Sequence, residues 1–328
     1  MTETSPPFAL LTPEALLTAV ESTGLRCDGR LLALNSYENR VYQVGIEDGP
    51  PVVVKFYRPA RWTDAQIREE HAFAWELADD EVPVVAPMRF AGRTTLMSHG
   101  DFRFAVYPRR GGRAPEFDRD ETLQWIGRFI ARLHRVGARG RFAKRDRLSV
   151  ERWGTAPRDY VLKSGFLPPE LTESYARVSE LAVEAVQASF DRAGPVANLR
   201  LHGDCHAGNI LWTDEGPHFV DLDDACTGPA VQDLWMLLSG DRENRERQLR
   251  VVLEGYETFR EFDRVELLLV EALRTLRMMH YAAWLARRWT DPAFPAAFPW
   301  FATQRYWQDH ILELREQLGA MDEAVLVP

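Results

Sequence analysis

A loop crowded with reactive side chains, followed directly by a hairpin pattern, lies between residues 201 and 221. The string LHGDCHAGNILW (201–212) brings one Asp, two His, one Cys and one Asn into eight positions. The strings NILW and HFVD are strand-like, and the turn residues TDEGP separate them. Strand-forming runs on both sides of such a turn predict a β-hairpin over 209–221. The fold must therefore present the loop at one end of this hairpin.

The predicted hairpin brings an amide and a carboxylate together. Symmetry about Glu215 pairs Asn209 with Asp221. Directly opposed residues of an antiparallel pair have Cβ atoms about 4.5 to 5.5 Å apart and point to the same face. A carboxylate and a neutral oxygen, completed by phosphate oxygens and water, form a shell that Mg²⁺ accepts. The pairing predicts a magnesium site at Asn209 and Asp221, with Asp204 in the loop that leads into it.

Three other interpretations of the loop are open. His202, Cys205 and His206 can ligate zinc, although the other cysteines are isolated in the sequence and offer no matching cluster. Cys205 and His206 can form a nucleophile and base, although such partners normally meet across a fold rather than side by side in sequence. The loop can also be a polar turn, in which Asp204 caps backbone amides and His202 is hydrogen-bonded internally.

The first third of the chain has the pattern of an antiparallel meander followed by a helix. The third strand-like run alternates, so that Val53, Lys55 and Tyr57 share one face. Apolar spacing then predicts a helix over 64–78 that carries Glu70. A shorter helix, capped by Thr12 before Pro13, comes first in the chain. The three runs of the meander are 30–34, 41–46 and 52–57, with turn residues 47–51 between the last two.

The organisation changes at the glycine-containing stretch RRGGR (109–113). Before it, EVPVVAPMRFAG (81–92) and GDFRFAVYPRRGG (100–112) have the composition of further strands. After it, helical patterns dominate, over 120–136, 169–192, 232–238 and from 242 to the end. A β-rich part joined to an α-rich part predicts an α+β fold with two lobes. We expect a first lobe over 1–105, a connector over 106–113 and a helical lobe over 114–328.

Composition and charge restrict the partners. The 328 residues carry a formal net charge of −9, with a pI near 5.5, which argues against general binding to nucleic acid or anionic membranes. Three cysteines are too few and too scattered for a disulfide framework, which fits a reducing compartment. The start MTETSPPFAL has neither a basic segment nor a long apolar run, and no later stretch approaches 18 uncharged apolar residues. We expect a cytoplasmic monomer.

The loop and hairpin together carry a family resemblance. HGDCHAGN is similar to the H-G-D-x-x-x-x-N catalytic loop of the aminoglycoside phosphotransferase and choline kinase group of protein-kinase-like enzymes, and FVDLDD resembles their metal-binding segment. The longer strings NSYENRVYQV, VVKFYRP and VDLDDACTGPAVQDLWMLL resemble the bacterial stress response kinase A family. The resemblance implies a bilobal protein-kinase-like fold, with an antiparallel β-sheet lobe and a mainly helical lobe. It also implies transfer of the γ-phosphoryl group of ATP, with Mg²⁺, to Ser or Thr hydroxyls of proteins in a stress response.

The resemblance also assigns roles to individual residues. Asp204 resembles the catalytic base that accepts the proton of the substrate hydroxyl. Asn209 and Asp221 resemble the Mg²⁺ ligands, and Asp221 thereby joins Asp204 in the catalytic set. Lys55 resembles the strand lysine that contacts the α- and β-phosphates. Glu70 is similar to the helix glutamate that pairs with that lysine, although the adjacent Glu69 is an alternative partner.

Nucleotide binding is implied for two further segments. Val106, Tyr107 and Arg109 belong to a segment that resembles the hinge whose backbone binds adenine. The stretch ALNSYENRV, which would cover the phosphates, lacks the G-x-G-x-x-G pattern. We expect Ser36 to replace the glycines by offering a hydroxyl donor and backbone amides. The same position makes Ser36 a conceivable autophosphorylation site.

Simpler roles and other functions are also open. Lys55 can be an edge-strand lysine, Glu70 a solvated helix residue, and Asp223 and Asp224 turn formers or helix caps rather than ligands. Within the kinase class, a small amino alcohol or an aminoglycoside is the competing acceptor, although RRGGR, RGRFAKRDR and ARRW do not favour a polycation. A catalytically silent nucleotide sensor is the alternative outside it. Such a protein is expected to lose the loop Asp, the Asn or the strand Lys, and all three are present.

Overall fold

In a computed structural model of the protein, residues 6–328 are described. Residues 1–5 lie outside the described residues. They are the first half of the segment MTETSPPFAL, in which the sequence has neither a basic stretch nor a long apolar run. The chain forms two compact units. The first comprises the described part of Met1–Glu116 together with Phe142–Arg145 and His206–Ala225, and the second comprises Phe117–Arg141, Asp146–Cys205 and Cys226–Pro328. The lobe boundaries expected at 105 and 113 stay a prediction.

The first unit is built on a five-stranded antiparallel sheet. Its spatial order is β1-β2-β3-β5-β4, so the first three strands form the predicted meander. The strand β3 is central, with Val41 of β2 opposite Lys55 on one side and Ala105 of β5 on the other. The strands, numbered along the chain, are β1 (Cys27–Leu34), β2 (Arg40–Ile46), β3 (Val52–Phe56), β4 (Met97–His99) and β5 (Phe102–Pro108).

The alternation of β3 separates a core face from a polar cavity face. Val54 and Phe56 are fully buried, and they belong to one apolar cluster with residues of the first helix. Lys55 lies on the opposite face, as the period of two predicts. The helix is α1 (Pro13–Glu21), and its N-cap Thr12 accepts the backbone N–H of Ala15 at 3.2 Å. The expected capped helix is therefore confirmed.

The second helix, α2 (Asp64–Asp79), starts at a capping box. The side chain of Thr63 accepts the N–H of Gln66, and the Gln66 side chain accepts the N–H of Thr63 in return. The predicted range of 64–78 is confirmed to within one residue. The helix buries an apolar face, and Glu70 is buried on it as well. Glu70 is therefore not a solvated helix residue.

The segment 81–92 does not form the expected strand. It is irregular apart from one bridge between Val84 and Phe219 and the start of the 3₁₀ turn Ala91–Arg93, and the edge strand β4 lies further along, at Met97–His99. Pro83 and Pro87 explain the error, because proline has no backbone N–H to donate to a sheet ladder. The apolar composition reflects burial, as for Val82 and Ala86, rather than strand pairing.

The hairpin between 209 and 221 is present, but its predicted register is wrong by one residue. Its strands β7 (Ile210–Thr213) and β8 (Gly216–Phe219) pair Thr213 with Gly216. Gly216 has a positive φ of 108°, and the Thr213 hydroxyl donates to its carbonyl at 3.0 Å, so two residues suffice for the loop. As a result Val220, not Asp221, donates its backbone N–H to the carbonyl of Asn209 at 3.0 Å.

The second unit is mainly helical and also contains a two-stranded antiparallel pair. The expected helix over 232–238 is instead a pair of 3₁₀ turns, Ala230–Asp233 and Trp235–Leu237. Among the helices of residues 6–328, none combines the length and the apolar character needed to span a membrane. The elements are β6 (Leu199–Leu201), β9 (Cys226–Gly228), α3 (Asp120–Gly137), α4 (Ala156–Lys163), α5 (Pro169–Ala193), α6 (Arg242–Tyr256), α7 (Val270–Arg288), α8 (Ala293–Ala297) and α9 (Gln304–Asp322).

Two glycines let α3 and α6 approach closely. A Cβ atom added at Gly127 of α3 would stand 2.1 Å from the carbonyl oxygen of Val252 on α6. One added at Gly255 of α6 would stand 2.1 Å from the carbonyl oxygen of Gln124 on α3. Both obstacles are backbone atoms, so the helices would have to separate to admit any larger side chain.

We therefore expect Gly127→Ala to destabilise the protein by about 1 to 3 kcal/mol, the usual cost of overpacking a core. The matched control is Gly319→Ala on α9, where an added Cβ has no neighbour within 4 Å. Its expected effect is a gain of roughly 0.5 to 1 kcal/mol from higher helix propensity. Denaturant midpoints measure both changes, and equal midpoints for the two variants would contradict the close-packing argument.

Candidate active site

A cavity of about 360 Å³ lies in the first unit, beside the sheet. It is large enough to hold much of a small ligand such as a nucleotide. Its lining mixes apolar residues, among them Val53 and Val85, with charged and amide side chains. Six of the residues predicted from the sequence line it: Ser36, Lys55, Glu70, Tyr107, Asn209 and Asp221. The structure thus brings Asn209 and Asp221 to one cavity although they are not paired in the hairpin.

Lys55 is the buried cation of this cavity. Its Nζ lies 2.7 Å from Oδ1 of Asp221 and 3.1 Å from Oδ1 of Asp223. Burial alone would lower the pKa of Lys55, but the two carboxylates outweigh it and hold the pKa well above its usual value. Lys55 is therefore a permanent positive charge. Because β3 is a central strand, the interpretation of Lys55 as an edge-strand lysine is wrong.

Asp223, which the sequence left open between a turn former and a ligand, is a buried ion-pair centre. Besides Lys55, it binds Nη1 of Arg61 and accepts a hydrogen bond from Nδ2 of Asn39 at 3.1 Å. Burial would raise the pKa of Asp223, but Arg61 and Lys55 hold it far below its usual value. It is neither a turn former on the surface nor a residue of the cavity lining. The extra acidic residues of the string VDLDD were its only signal.

Asp221 has an unusual backbone. Its φ of 59° and ψ of 65° place a non-glycine residue in the left-handed region, two residues after the end of β8. This conformation is sparsely populated for residues with a Cβ, although Asp tolerates it better than most. Half of its side chain is exposed, and Asp221 lines the cavity together with its partner Lys55. Such local strain is common at functional sites.

The two adjacent glutamates of α2, Glu69 and Glu70, have different surroundings. Glu69 accepts three backbone N–H groups, from Ala143, Lys144 and Arg145, at 2.6 to 2.8 Å. Glu70 faces the cavity, where burial raises its pKa to about 7 and the charges of Lys55 and Arg145 partly oppose the shift. Within residues 6–328 the ion pairs of Lys55 go to aspartates rather than to either glutamate.

The covering loop between β1 and β2 is fixed by side chains rather than by glycines. Ser36 lines the cavity, and its hydroxyl donates to the carbonyl of Asn39 at 3.3 Å. The buried guanidinium of Arg58 donates to the carbonyl of Glu38 at 2.8 Å and is ion-paired with its carboxylate. Asn39 accepts the backbone N–H of Arg58 at 3.1 Å. Arg58, Asn39 and Glu38 were not anticipated from the sequence.

The three residues of the predicted hinge have separate surroundings. Tyr107 lines the cavity, and its hydroxyl lies 3.1 Å from that of Tyr57. Val106 is buried in the sheet, where its carbonyl accepts the N–H of Met88 at 2.7 Å. Arg109 is exposed and donates to the side chain of Gln43 at 2.9 Å, while Arg110 lines the cavity in its place.

Asp204 belongs to the second unit, where a buried aspartate shapes its loop. Both oxygens of Asp233 accept backbone hydrogen bonds at 2.8 Å, one from His202 and one from Gly203. Asp233 also contacts Nε2 of His134 at 3.1 Å. Gly203 has a φ of 87°, which suits glycine, and it turns the chain into Asp204. The side chain of Asp204 is mostly buried, and Arg277 of α7 donates to its Oδ1.

The other reactive side chains of the loop have structural roles. Cys205 is buried, and burial raises its pKa well above the usual value, which opposes formation of a nucleophilic thiolate. His202 is buried, and Nδ1 of His206 accepts the N–H of Gly208 at 2.9 Å. Across residues 6–328 no three His, Cys, Asp or Glu side chains converge as metal ligands. The zinc and thiol interpretations therefore gain no support.

Comparisons with known sequences agree on one family. The model of the phosphotransferase enzyme family matches residues 30–268. A protein named stress response kinase A, from Escherichia coli (strain K12), is 46% identical over 319 residues, which cover 97% of this chain and 96% of that protein. One named serine/threonine protein kinase RdoA, from Salmonella typhimurium, is 45% identical over the same length and coverage. The resemblance to the stress response kinase A family is confirmed.

Solved structures show the same fold. The structure of amicoumacin kinase hAmiN with AMP-PNP, Ca²⁺ and Ami has a TM-score of 0.73 at 17% identity and covers 95% of each chain. That of a microcompartment-associated aminopropanol kinase has a TM-score of 0.66 at 18% identity, and covers 93% of this chain and 98% of its own. The predicted α+β, protein-kinase-like fold is confirmed.

The contacts of Asp233 generate a stability prediction. In Asp233→Asn one oxygen becomes an NH₂ group that faces a backbone N–H, so two donors meet in a dry interior. We expect a loss of about 1 to 3 kcal/mol in the free energy of unfolding. The control, Asp309→Asn, removes a charge from an exposed pair with Arg305 on α9 and is expected to change stability by less than about 0.5 kcal/mol. Thermal melts compare them, and an unchanged Tm for Asp233→Asn would refute the role of Asp233.

Proposed function

The chain belongs to the phosphotransferase enzyme family, and from this premise we propose that it is an ATP- and Mg²⁺-dependent kinase that phosphorylates Ser or Thr of proteins. The observation that carries the proposal is the buried Lys55 beside Asp221 in a nucleotide-sized cavity. The relatives named stress response kinase A and serine/threonine protein kinase RdoA support a protein acceptor and a role in stress. A cytoplasmic monomer stays a prediction.

We assign the nucleotide to the cavity of the first unit. The permanent charge of Lys55 suits the α- and β-phosphates, since a buried cation interacts more strongly with an anion than an exposed one does. Apolar residues such as Val53 and Val85 offer surfaces for the base, and Tyr107 lies at the predicted hinge. Val106 and Arg109 do not line the cavity with their side chains, so their proposed role in adenine binding is limited to their backbone groups. As part of the same proposal, residues 1–105 form the nucleotide-binding lobe, residues 106–113 the connector, and residues 114–328 the helical catalytic and substrate lobe.

The residues of the cavity fit a magnesium ion. Asn209 offers an amide oxygen and Asp221 a half-exposed carboxylate, and both line the cavity. Hard oxygen donors of this kind, completed by phosphate oxygens and water, are what Mg²⁺ requires. When bound, the ion neutralises charge on the phosphates. Asp221 is thus proposed as both a metal ligand and a member of the catalytic set.

We propose that Asp204 acts as the base. Its carboxylate accepts the proton of the acceptor hydroxyl while that oxygen bonds to the γ-phosphorus and the bond from phosphorus to ADP breaks. Lys55 stabilises the negative charge on the phosphates, so that most of the work is positioning and electrostatics. Arg277 holds Oδ1 of Asp204 in place, and Asp233 fixes the loop. A silent nucleotide sensor would have no need of this arrangement.

The experiment that tests the function uses γ-labelled ATP and purified protein. The acceptors are a generic Ser/Thr protein and a panel of amino alcohols and aminoglycosides. We expect label on Ser or Thr of the protein acceptor, and loss of transfer when Mg²⁺ is chelated. Label on a small alcohol alone would make the protein a small-molecule kinase. Label on no acceptor would favour the silent sensor.

We expect Asp204→Asn to lower kcat about 10²- to 10⁴-fold, the usual contribution of a positioned base. Folding and ATP affinity should persist, because the amide oxygen can still accept the hydrogen bond from Arg277. The control is Asp214→Asn in the exposed turn of the hairpin, which should leave kcat unchanged. Wild-type turnover in Asp204→Asn would rule out the base.

A substitution of Ser36 tests whether the covering loop binds the phosphates of ATP. Its hydroxyl is held by one long hydrogen bond, so we expect it to turn to a phosphate oxygen when ATP is bound. Charge-assisted hydrogen bonds contribute roughly 1.5 to 3 kcal/mol, which makes Ser36→Ala about 10- to 150-fold lower in kcat/KM. Ser98→Ala, at an exposed serine of β4 in the same sheet, is the control. Normal kinetics for Ser36→Ala would leave Ser36 as a turn former only, and would also remove the reason to expect regulation by its autophosphorylation.

A further inference from the structure

A strip of basic and aromatic side chains begins at Asp204 and follows helix α7 in the second unit. Arg277 contacts Asp204, and His280 follows one helical turn later. The ring of His280 stacks on Trp153 with centroids 4.8 Å apart and planes 23° from parallel. Arg287 completes the strip on α7, and Arg152 lies beside Trp153 in sequence. We call these five residues the acceptor strip.

The acceptor strip is long enough for an extended peptide rather than for a small molecule. Arg277 and Arg287 are ten residues apart on one helix, which corresponds to roughly 15 Å at 1.5 Å per residue. An extended peptide advances about 3.3 Å per residue, so four to five residues cover that distance. A ligand whose hydroxyl lies at Asp204 and whose other end reaches Arg287 is therefore of peptide length.

The far end of the strip is positively charged. Arg287 is exposed, and its guanidinium lies 4.7 Å from the ring centroid of Tyr160. Partial burial lowers its pKa, and the nearby cations Arg288 and Arg152 lower it further. Of the strip's arginines, Arg152 has the carboxylate of Asp146 as a partner and Arg277 has Asp204. The charge around Arg287 therefore remains positive and attracts anions.

Between the two ends of the strip lie two aromatic rings that are partly accessible. The stacked rings of Trp153 and His280 are both only partly buried. Aromatic faces of this kind pack well against peptide backbone and aliphatic side chains. The surface thus combines a non-selective middle with one selective, cationic end at Arg287.

We propose that the acceptor strip binds an extended acidic segment of the protein substrate. The accepting Ser or Thr lies at Asp204 and Arg277, and a carboxylate side chain four to five residues away contacts Arg287. This inference rests on the proposed function and names the substrate class: an acidic peptide rather than a neutral or basic one. By the same charge argument, we expect a polycationic small molecule to be a poor acceptor.

The test compares three peptides of equal length, each with one serine, whose residues four and five positions away on both sides are Glu, Gln or Lys. Phosphorylation by the full chain with ATP and Mg²⁺ gives kcat/KM for each. We expect Glu above Gln and Gln above Lys. Arg287→Gln should lower the ratio of the Glu peptide to the Gln peptide about two- to fivefold, the range for one exposed ion pair. Arg287→Glu should shift the preference toward Lys.

The control and the remaining outcomes separate this inference from the function itself. Arg250→Gln, at an exposed arginine of α6, should leave all three peptides unchanged. Equal kcat/KM for the three peptides, or a ratio unaffected by Arg287→Gln, would overturn the acceptor strip while leaving a protein kinase. A preference for glycerate, a small anionic alcohol, over every peptide would overturn the peptide acceptor. Failure to label any peptide would overturn both proposals.

Discussion

The ion cluster of Lys55, Asp221 and Asp223 is the interaction on which the first unit depends. A strand, the segment after the hairpin, and through Asn39 the covering loop all meet at it. Burying such charges is expensive, and removing one member of a buried pair typically costs about 3 to 5 kcal/mol because the other charge remains. The cluster therefore fixes the positions of these segments more strictly than apolar packing would, and it does so at the cavity.

The cluster also combines one fully buried carboxylate, Asp223, with one that is accessible from the cavity, Asp221. Asp223 is buried and has two cationic partners and an amide donor, so its charge is satisfied without any ligand. Asp221 is half exposed and bonds to Lys55 alone among the described cations. In the proposed nucleotide site, phosphates and a metal would compete for Lys55 and Asp221, while Asp223 would still neutralise the lysine. The binding groups can thus exchange partners while the fold keeps its own.

Local sequence patterns located helices and strands, but they did not predict contacts between residues that are distant in the sequence. Alternation placed Lys55 opposite the core, and the cap at Thr12 located α1, because both depend on neighbouring residues only. The hairpin register failed because two turns of different length fit the same residues, and the choice depended on the backbone of Gly216. Asn39 and Asp223 lie 184 residues apart, and no spacing rule connects them. Their contact exists only once the chain is folded.

In each unit an aspartate with a proposed catalytic or metal-binding role, which we call the working aspartate, is accompanied by a second, supporting aspartate. Asp223 supports Asp221 in the first, and Asp233 supports Asp204 in the second through the backbone of His202 and Gly203. Both supporting residues are almost completely buried, whereas both working residues keep part of their side chain accessible. In the sequence all four are aspartates, so residue type does not distinguish them. Burial does, because a carboxylate that must exchange a proton or a metal needs access, and one that holds backbone or cations gains strength from a dry interior.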